Sequence, residues 1–224
     1  MTDGVIRSAI LPVPHAFLDA ARSDARRFDL AAPDARPVFA RQVHSARALA
    51  VDGALGEPLP EVDALATATP GLALGIVTAD CAPVLLADSA AGVIGAAHAG
   101  WRGAHGGVLE AVVEEMERLG AQRGRIAAAI GPCVAQASYE VDEAFRAHFS
   151  HEDERFFAPG RPGHQHFDLE AYVAARLAGA GVNRIEALGI DTYANSSTLY
   201  SYRRATHRGE ARDGRQFSLI ALPG

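Results

Sequence analysis

Three residues in this 224-residue chain stand out, by type and setting, as able to bind a metal or activate water together: His44, Cys81 and His98. Each follows an apolar run. A thiolate with two imidazoles suits zinc, which accepts sulfur and nitrogen alike, and three protein ligands leave a fourth position open. Water held there ionises near roughly pH 7 and becomes a nucleophile. Strand ends on one edge of a sheet converge in space, so ligands far apart in sequence can meet. No C-x-x-C or H-E-x-x-H is present, so the trio rests on its setting and not on local spacing. Two metal-free readings stand beside it. Cys81 is a nucleophile with His98 as its base, or the three are an ordinary core thiol and two hydrogen-bonded imidazoles.

The chain is organised around Gly92 to Gly103, a buried strand that ends in a glycine-punctuated turn feeding a helix. Gly100, Gly103, Gly106 and Gly107 free the backbone to approach a ligand. N–H groups at the start of the next helix favour an anion, and Arg102 adds a charge able to make two parallel contacts. The bland reading is a tight strand-to-helix turn with a solvated arginine. Trp101, the sole tryptophan, reads as a core filler or a platform for an aromatic ring. Cys133, after Gly131-Pro132, reads as a buried inert thiol. His164 and His166 form one H-x-H pair, far short of the ligand set of a multicopper oxidase.

The elements that position these residues follow from periodicity and turn signals. Val5 to Val13 reads as a short strand, and His15 to Phe28 as a helix or an irregular loop. A strand runs from Pro37 to His44, continued beyond a bend by Ser45 to Val51. Glu61 to Thr67 is short and mixed. Leu72 to Thr78 is a near-continuous apolar run, as in a strand covered on both faces. Val84 to Ala87 and Gly92 to Ala97 are strands joined by a hairpin-type turn. Val108, Leu109, Val112, Val113, Met116 and Leu119 recur at helical spacing, ending at Gly120. Arg125 to Ile130 is a strand, Val141 to Phe149 a helix, and His151 to Gly163 a surface excursion. Asp168 caps a helix over Leu169 to Leu177. Arg184 to Ile190 and Arg215 to Leu222 are strands, with Leu199 to Arg204 a short strand between them. On that strand Arg203 and Arg204 face opposite ways, so at most one enters a cleft and the other is a surface charge. The order predicts an α+β fold with mixed sheets, in one domain over residues 1–224.

Lys and Arg number 21 against 27 Asp and Glu, a formal net charge of −6. That balance, with no basic run, excludes a general nucleic-acid binder. Nearly half the residues are hydrophobic (49%), yet no run reaches the roughly 18 residues of a membrane helix. Met1 to Leu11 lacks a long apolar signal core. Two cysteines rule out a disulfide framework, and with the missing signal they point to the cytoplasm.

Five blocks now matter together: Arg41-Gln-Val-His44; Thr78-Ala-Asp-Cys81-Ala-Pro-Val; Gly95-Ala-Ala-His-Ala-Gly-Trp-Arg-Gly103; Ile130-Gly-Pro-Cys133 with Tyr139-Glu-Val; and Tyr200-Ser-Tyr-Arg-Arg204 with Gly214-Arg-Gln. In this order they resemble the YfiH/laccase-domain family, from about Val38 to Leu222. The resemblance implies a mixed α/β sandwich with helices outside two facing sheets. It implies a zinc site on His44, Cys81 and His98, with copper the alternative metal of the family's older description as phenol oxidases. The implied activity is phosphorolysis of adenosine, inosine and methylthioadenosine, with an adenosine deaminase side activity. Purine nucleoside and phosphate are then the partners. Arg41, Arg102, the glycine turn and one of Arg203 or Arg204 would clamp phosphate, and Asp80 would orient His98 or a bound water. Two departures stand out. Pro14 to Leu30 lacks the family's aromatic, glycine-rich stretch, and Asp191-Thr-Tyr-Ala194 replaces a Cys-Thr pair after the late Asp. The N-terminal departure keeps one rival in view, a nucleoside- or partner-binding protein without turnover, and the Cys81–His98 pair keeps another, a metal-independent Cys/His hydrolase.

Overall fold

The computed structural model describes residues 5–224; the reading of Met1 to Leu11 falls partly outside them. In chain order the strands are β1 (Val5–Ile6), β2 (His15–Leu18), β3 (Arg36–Val38), β4 (Ala48–Ala50), β5 (Ala64–Thr67), β6 (Leu72–Thr78), β7 (Ala82–Asp88), β8 (Val93–Ala99), β9 (Ala127–Ile130), β10 (Glu140–Asp142), β11 (Phe157–Pro159), β12 (His164–Phe167), β13 (Arg184–Ala187) and β14 (Gln216–Ala221). The α-helices are α1 (Ala20–Asp24), α2 (Trp101–Gly106), α3 (Val108–Arg118), α4 (Glu143–Arg146), α5 (Leu169–Gly179) and α6 (Tyr202–Arg208). The fold is α+β. One sheet has the order β1-β2-β14-β6-β3 and a second β13-β9-β7-β8-β5-β4, with a small sheet β10-β12-β11 beside them. Both large sheets are mixed: β3 runs parallel to β6 and β4 to β5, while β14 with β6 and β7 with β8 are antiparallel.

Alternation splits the central strands between two interiors. In β7, Leu85 and Ala87 join Phe17, Leu74, Ile76 and Ile220 in the core between the two large sheets. Val84 and Leu86 join Val112, Met116, Val173 and Leu177, the buried faces of α3 and α5. This is why β7 and β8 read as nearly unbroken apolar runs; β6 does so because Leu72, Leu74 and Ile76 enter the inter-sheet core while Ala73 joins a further cluster with Leu18, Leu219 and Ala221. The Val108–Leu119 spacing becomes α3, with Val108, Leu109, Val112, Val113 and Met116 buried. Asp168 caps α5, its carboxylate accepting from the Ala171 N–H at 2.9 Å.

Local departures from the sequence reading have local causes. Leu199 to Arg204 is not a strand. Ser201 caps α6, its side chain accepting from Arg204 N, and Gly209 closes the helix at φ +67°, a Ser–Gly pair that outweighs the tyrosines' β preference. Pro37 to His44 is strand only as far as Val38; beyond it Arg41 makes a lone parallel bridge to Glu61, and the chain turns at His44, which sits at φ +61°. His15 to Phe28 divides into β2 and α1, with Asp19 capping the helix. Val141 to Phe149 supplies the end of β10 and the short α4. No helix among the described residues is long and apolar enough to cross a membrane.

Candidate metal centre

Sheet register brings two of the three candidate ligands to one place. Ala64 pairs with Ala97, and Pro83 with His98. One step further along β5–β8 sets Asp63 opposite His98, where the His98 N–H donates to the Asp63 carbonyl at 2.7 Å. A step beyond the Ala82–Ala99 pair sets Cys81 opposite Gly100. A Cβ on Gly100 would lie 2.8 Å from Cys81 Sγ and 3.1 Å from the His44 ring, so glycine is what leaves room for both. His44 arrives from a loop. The ligand atoms of His44, Cys81 and His98 all lie within 4.8 Å of one another.

Asp63 builds this centre, and the sequence reading passed over it. It is fully buried. Its carboxylate accepts from His98 Nδ1 at 2.7 Å and from the backbone N–H groups of His44 (2.9 Å) and Ser45 (2.6 Å), as well as from the Ser45 hydroxyl. One carboxylate thus orients the His98 ring and stabilises the left-handed turn at His44. The signal was a lone acid in the apolar run Val62-Asp-Ala-Leu65. Its meaning depended on a register that spacing does not reveal.

Asp80, expected to orient His98 or a bound water, has Thr192 and Arg203 and not His98 as its partners. It sits at φ +84°. Its carboxylate accepts from Thr192 Oγ1 and the Arg203 N–H, both at 2.6 Å. It ties the Cys81 turn to the start of α6.

Charge is distributed to match. Burial alone disfavours a carboxylate, but the bonds from His98 and Ser45 outweigh it and hold Asp63 well below the usual range. Burial also opposes a charged His98; contacts with Asp63 and Cys81 prevail and raise it to about 9. Cys81 is pulled down to about 6, its burial outweighed by His44 and His98. Without metal, the pair is therefore a thiolate beside an imidazolium at neutral pH. Iodoacetamide labelling of metal-free protein should rise through about pH 6 and then level off. Cys133, whose burial pushes its thiol up, should stay unlabelled. A Cys81 rate still climbing at about pH 9 would show an ordinary thiol.

The donor set fits a metal. His98 Nδ1 is taken by Asp63, which leaves Nε2 as the ligating atom, oriented by a carboxylate from behind. Bonds of roughly 2.0–2.3 Å to a tetrahedral ion need ligand atoms roughly 3.5 Å apart. Cys81 Sγ and His44 Nε2 already stand 3.9 Å apart.

The centre opens into a cavity of about 900 Å³. Trp101, Arg102 and Arg203 line it. Arg102 lies 4.4 Å over the Trp101 ring and Arg203 5.2 Å over that of Tyr139. The other two expected clamps lie elsewhere. Arg41 stands outside the cavity lining in an exposed ion pair with Glu61, 3.3 Å apart. Arg204 is neither in the cleft nor on the surface. It is buried, and its guanidinium donates to the carbonyls of Thr192, Tyr193 and Leu199. Gly103 and Gly106 serve close packing, with Cβ positions 3.0 Å from the Ser45 carbonyl and 3.3 Å from Ala46, and Gly107 (φ +106°) divides α2 from α3. His164 and His166 are held by Arg161 and the Gln136 carbonyl, away from the centre.

Comparison with known proteins places these features in context. A family described as multi-copper polyphenol oxidoreductase laccase matches residues 19–223. A Deinococcus radiodurans protein named purine nucleoside phosphorylase is 38% identical over 244 residues, covering 98% of this chain and 93% of its own. One of the same name from Streptomyces coelicolor is 43% identical over 171 residues, 76% of this chain and 70% of its own. Among solved structures, a Neisseria meningitidis protein superposes with a TM-score of 0.83 at 25% identity, covering 99% of this chain and all of that one (100%). The Bacillus licheniformis hypothetical protein YfiH gives 0.78 at 29% identity, covering 90% and 79%.

Proposed function

Since the chain belongs to the YfiH/laccase-domain family, we propose that it is a zinc-dependent purine nucleoside phosphorylase acting on adenosine, inosine and methylthioadenosine. The observation that carries this reading is the convergence of His44, Cys81 and His98 on a cavity whose wall also bears Arg102 and Arg203. The names of its relatives point the same way.

Phosphorolysis moves negative charge onto the purine while the ribose becomes cationic, with phosphate close to the anomeric carbon. Arg102, 4.4 Å over the Trp101 ring, has N–H donors to offer two phosphate oxygens. Arg203 is steadied by donating from Nη1 to the Glu140 carbonyl at 2.7 Å, which leaves its other donors for the same anion. Prior placement of both charges saves most of the entropy of bringing phosphate to the sugar. Asp63 fixes the imidazole tautomer of His98. A zinc ion bound by the trio would supply Lewis acidity toward the departing base, or toward water for adenosine deamination. Copper fits a thiolate and two imidazoles as well. Multicopper chemistry needs several such groups, whereas among the described residues this is the one cluster with ligand spacing.

Zinc-loaded protein should release free base from these nucleosides with phosphate present, and at least about tenfold more slowly without it, the loss expected when a positioned co-substrate is withdrawn. Inosine formed from adenosine reports deamination. No base from any of the three in a zinc-replete sample overturns the assignment.

A further inference from the structure

Thr78 is the last residue of β6 and stands on the cavity wall. It is 2% exposed, and its Oγ1 has no hydrogen-bond partner among the described residues. The rest of β6 shows how unusual this is. Leu72, Leu74 and Ile76, on the same face by alternation, are plain core residues. Valine has the shape of threonine, favours strands as much, and carries no unmet polar atom. A hydroxyl kept unpaired beside a ligand cavity has a partner that arrives with the ligand.

The chemistry of that partner can be narrowed. A threonine hydroxyl both donates and accepts, which suits another hydroxyl. Phosphate oxygens have better partners in Arg102 and Arg203 on the same wall. Cys81, one of the three candidate ligands, follows Thr78 three residues along the chain, and a single staggered step in χ1 exchanges Oγ1 with the methyl group. We infer that Thr78 is a specificity-determining residue that hydrogen-bonds one hydroxyl of the ribose. This inference rests on the nucleoside phosphorylase reading and adds a substrate preference to it.

The test compares kcat/KM for adenosine and its 2′-, 3′- and 5′-deoxy analogues, at saturating phosphate, in the wild-type, Thr78→Val and Thr78→Ser proteins. The wild type should discriminate against one analogue by about 10- to 100-fold. Thr78→Val should lose that discrimination, with adenosine falling to the level of the analogue, while Thr78→Ser keeps it. Thermal unfolding should show Thr78→Val at least as stable as the wild type, which separates a ligand contact from a structural one. If the wild type is active and Thr78→Val retains every preference, the inference is overturned and the phosphorylase reading stands. A wild type that cleaves no nucleoside removes both.

Discussion

His44→Ala and Cys81→Ala proteins are expected to purify without stoichiometric zinc and to lose base release by about 10³-fold or more. Lewis-acid stabilisation of a departing group contributes several kcal/mol, and each 1.4 kcal/mol is about a factor of ten in rate. Folding should survive both changes. His44 is exposed and Cys81 half-buried, and neither side chain belongs to a hydrophobic core cluster. The two variants also separate rival chemistries. A hydrolase with Cys81 as nucleophile and His98 as base needs no zinc and is indifferent to chelators, with His44 serving only to favour the thiolate. Elemental analysis of each protein, with turnover measured before and after chelation, gives the answer. Zinc retained in both variants, or full turnover in His44→Ala, would sink the metal centre. Gly100→Ala should share the phenotype with both ligands intact, because its methyl group would crowd the Cys81 sulfur, 2.8 Å away.

How much of this could be read beforehand depended on whether a feature is local. The apolar runs of β6 to β8 and the 3.6-residue period of α3 are written in consecutive residues, and so are the caps at Asp168 and Gly120. They emerged close to expectation. The ligand candidates could be nominated because cysteine and histidine carry distinctive chemistry after strands, and the family blocks reinforced them. What sequence could not supply was register. That Asp63 faces His98 follows from the Ala64–Ala97 pairing, a relation across 35 residues with no local trace. Asp80 was the more visible acid because it adjoins Cys81. Adjacency on a turn at positive φ sends its side chain to Thr192 and Arg203 instead. Arg204 shows the opposite failure. On a strand, one of Arg203 and Arg204 would face the cleft and the other solvent, whereas on α6 Arg204 does neither and lies under the loop it braces.

Asp63→Asn should be the most damaging single substitution near the centre that leaves all three ligands in place. The carboxylate accepts from at least four donors, of which two are backbone N–H groups and one is a charged imidazole. An amide presents N–H where one carboxylate oxygen accepted, so donors face donors inside a site that water does not reach. Breaking one side of a buried charged pair costs about 3–5 kcal/mol, and unpaired buried N–H groups add to that. The variant should unfold at clearly lower temperature. Zinc affinity should drop about 10- to 100-fold as His98 loses its orienting partner. Acid should narrow the gap. A carboxylate held below its unfolded value of 3.8 contributes stability above that pH and loses it as pH falls toward the folded value. The stability difference between the wild type and Asp63→Asn is therefore full between about pH 4 and the ordinary imidazole value of 6.5; it shrinks below that window as Asp63 takes up a proton and above it as His98, raised to about 9, gives one up. Asp80→Asn gives the contrast. Its carboxylate holds Thr192 and the start of α6, so zinc should remain stoichiometric while the position of Arg203, and with it the KM for phosphate, is disturbed. Equal zinc affinity in Asp63→Asn and the wild type would mean that His98 keeps its orientation without Asp63, and the centre would then need another organiser.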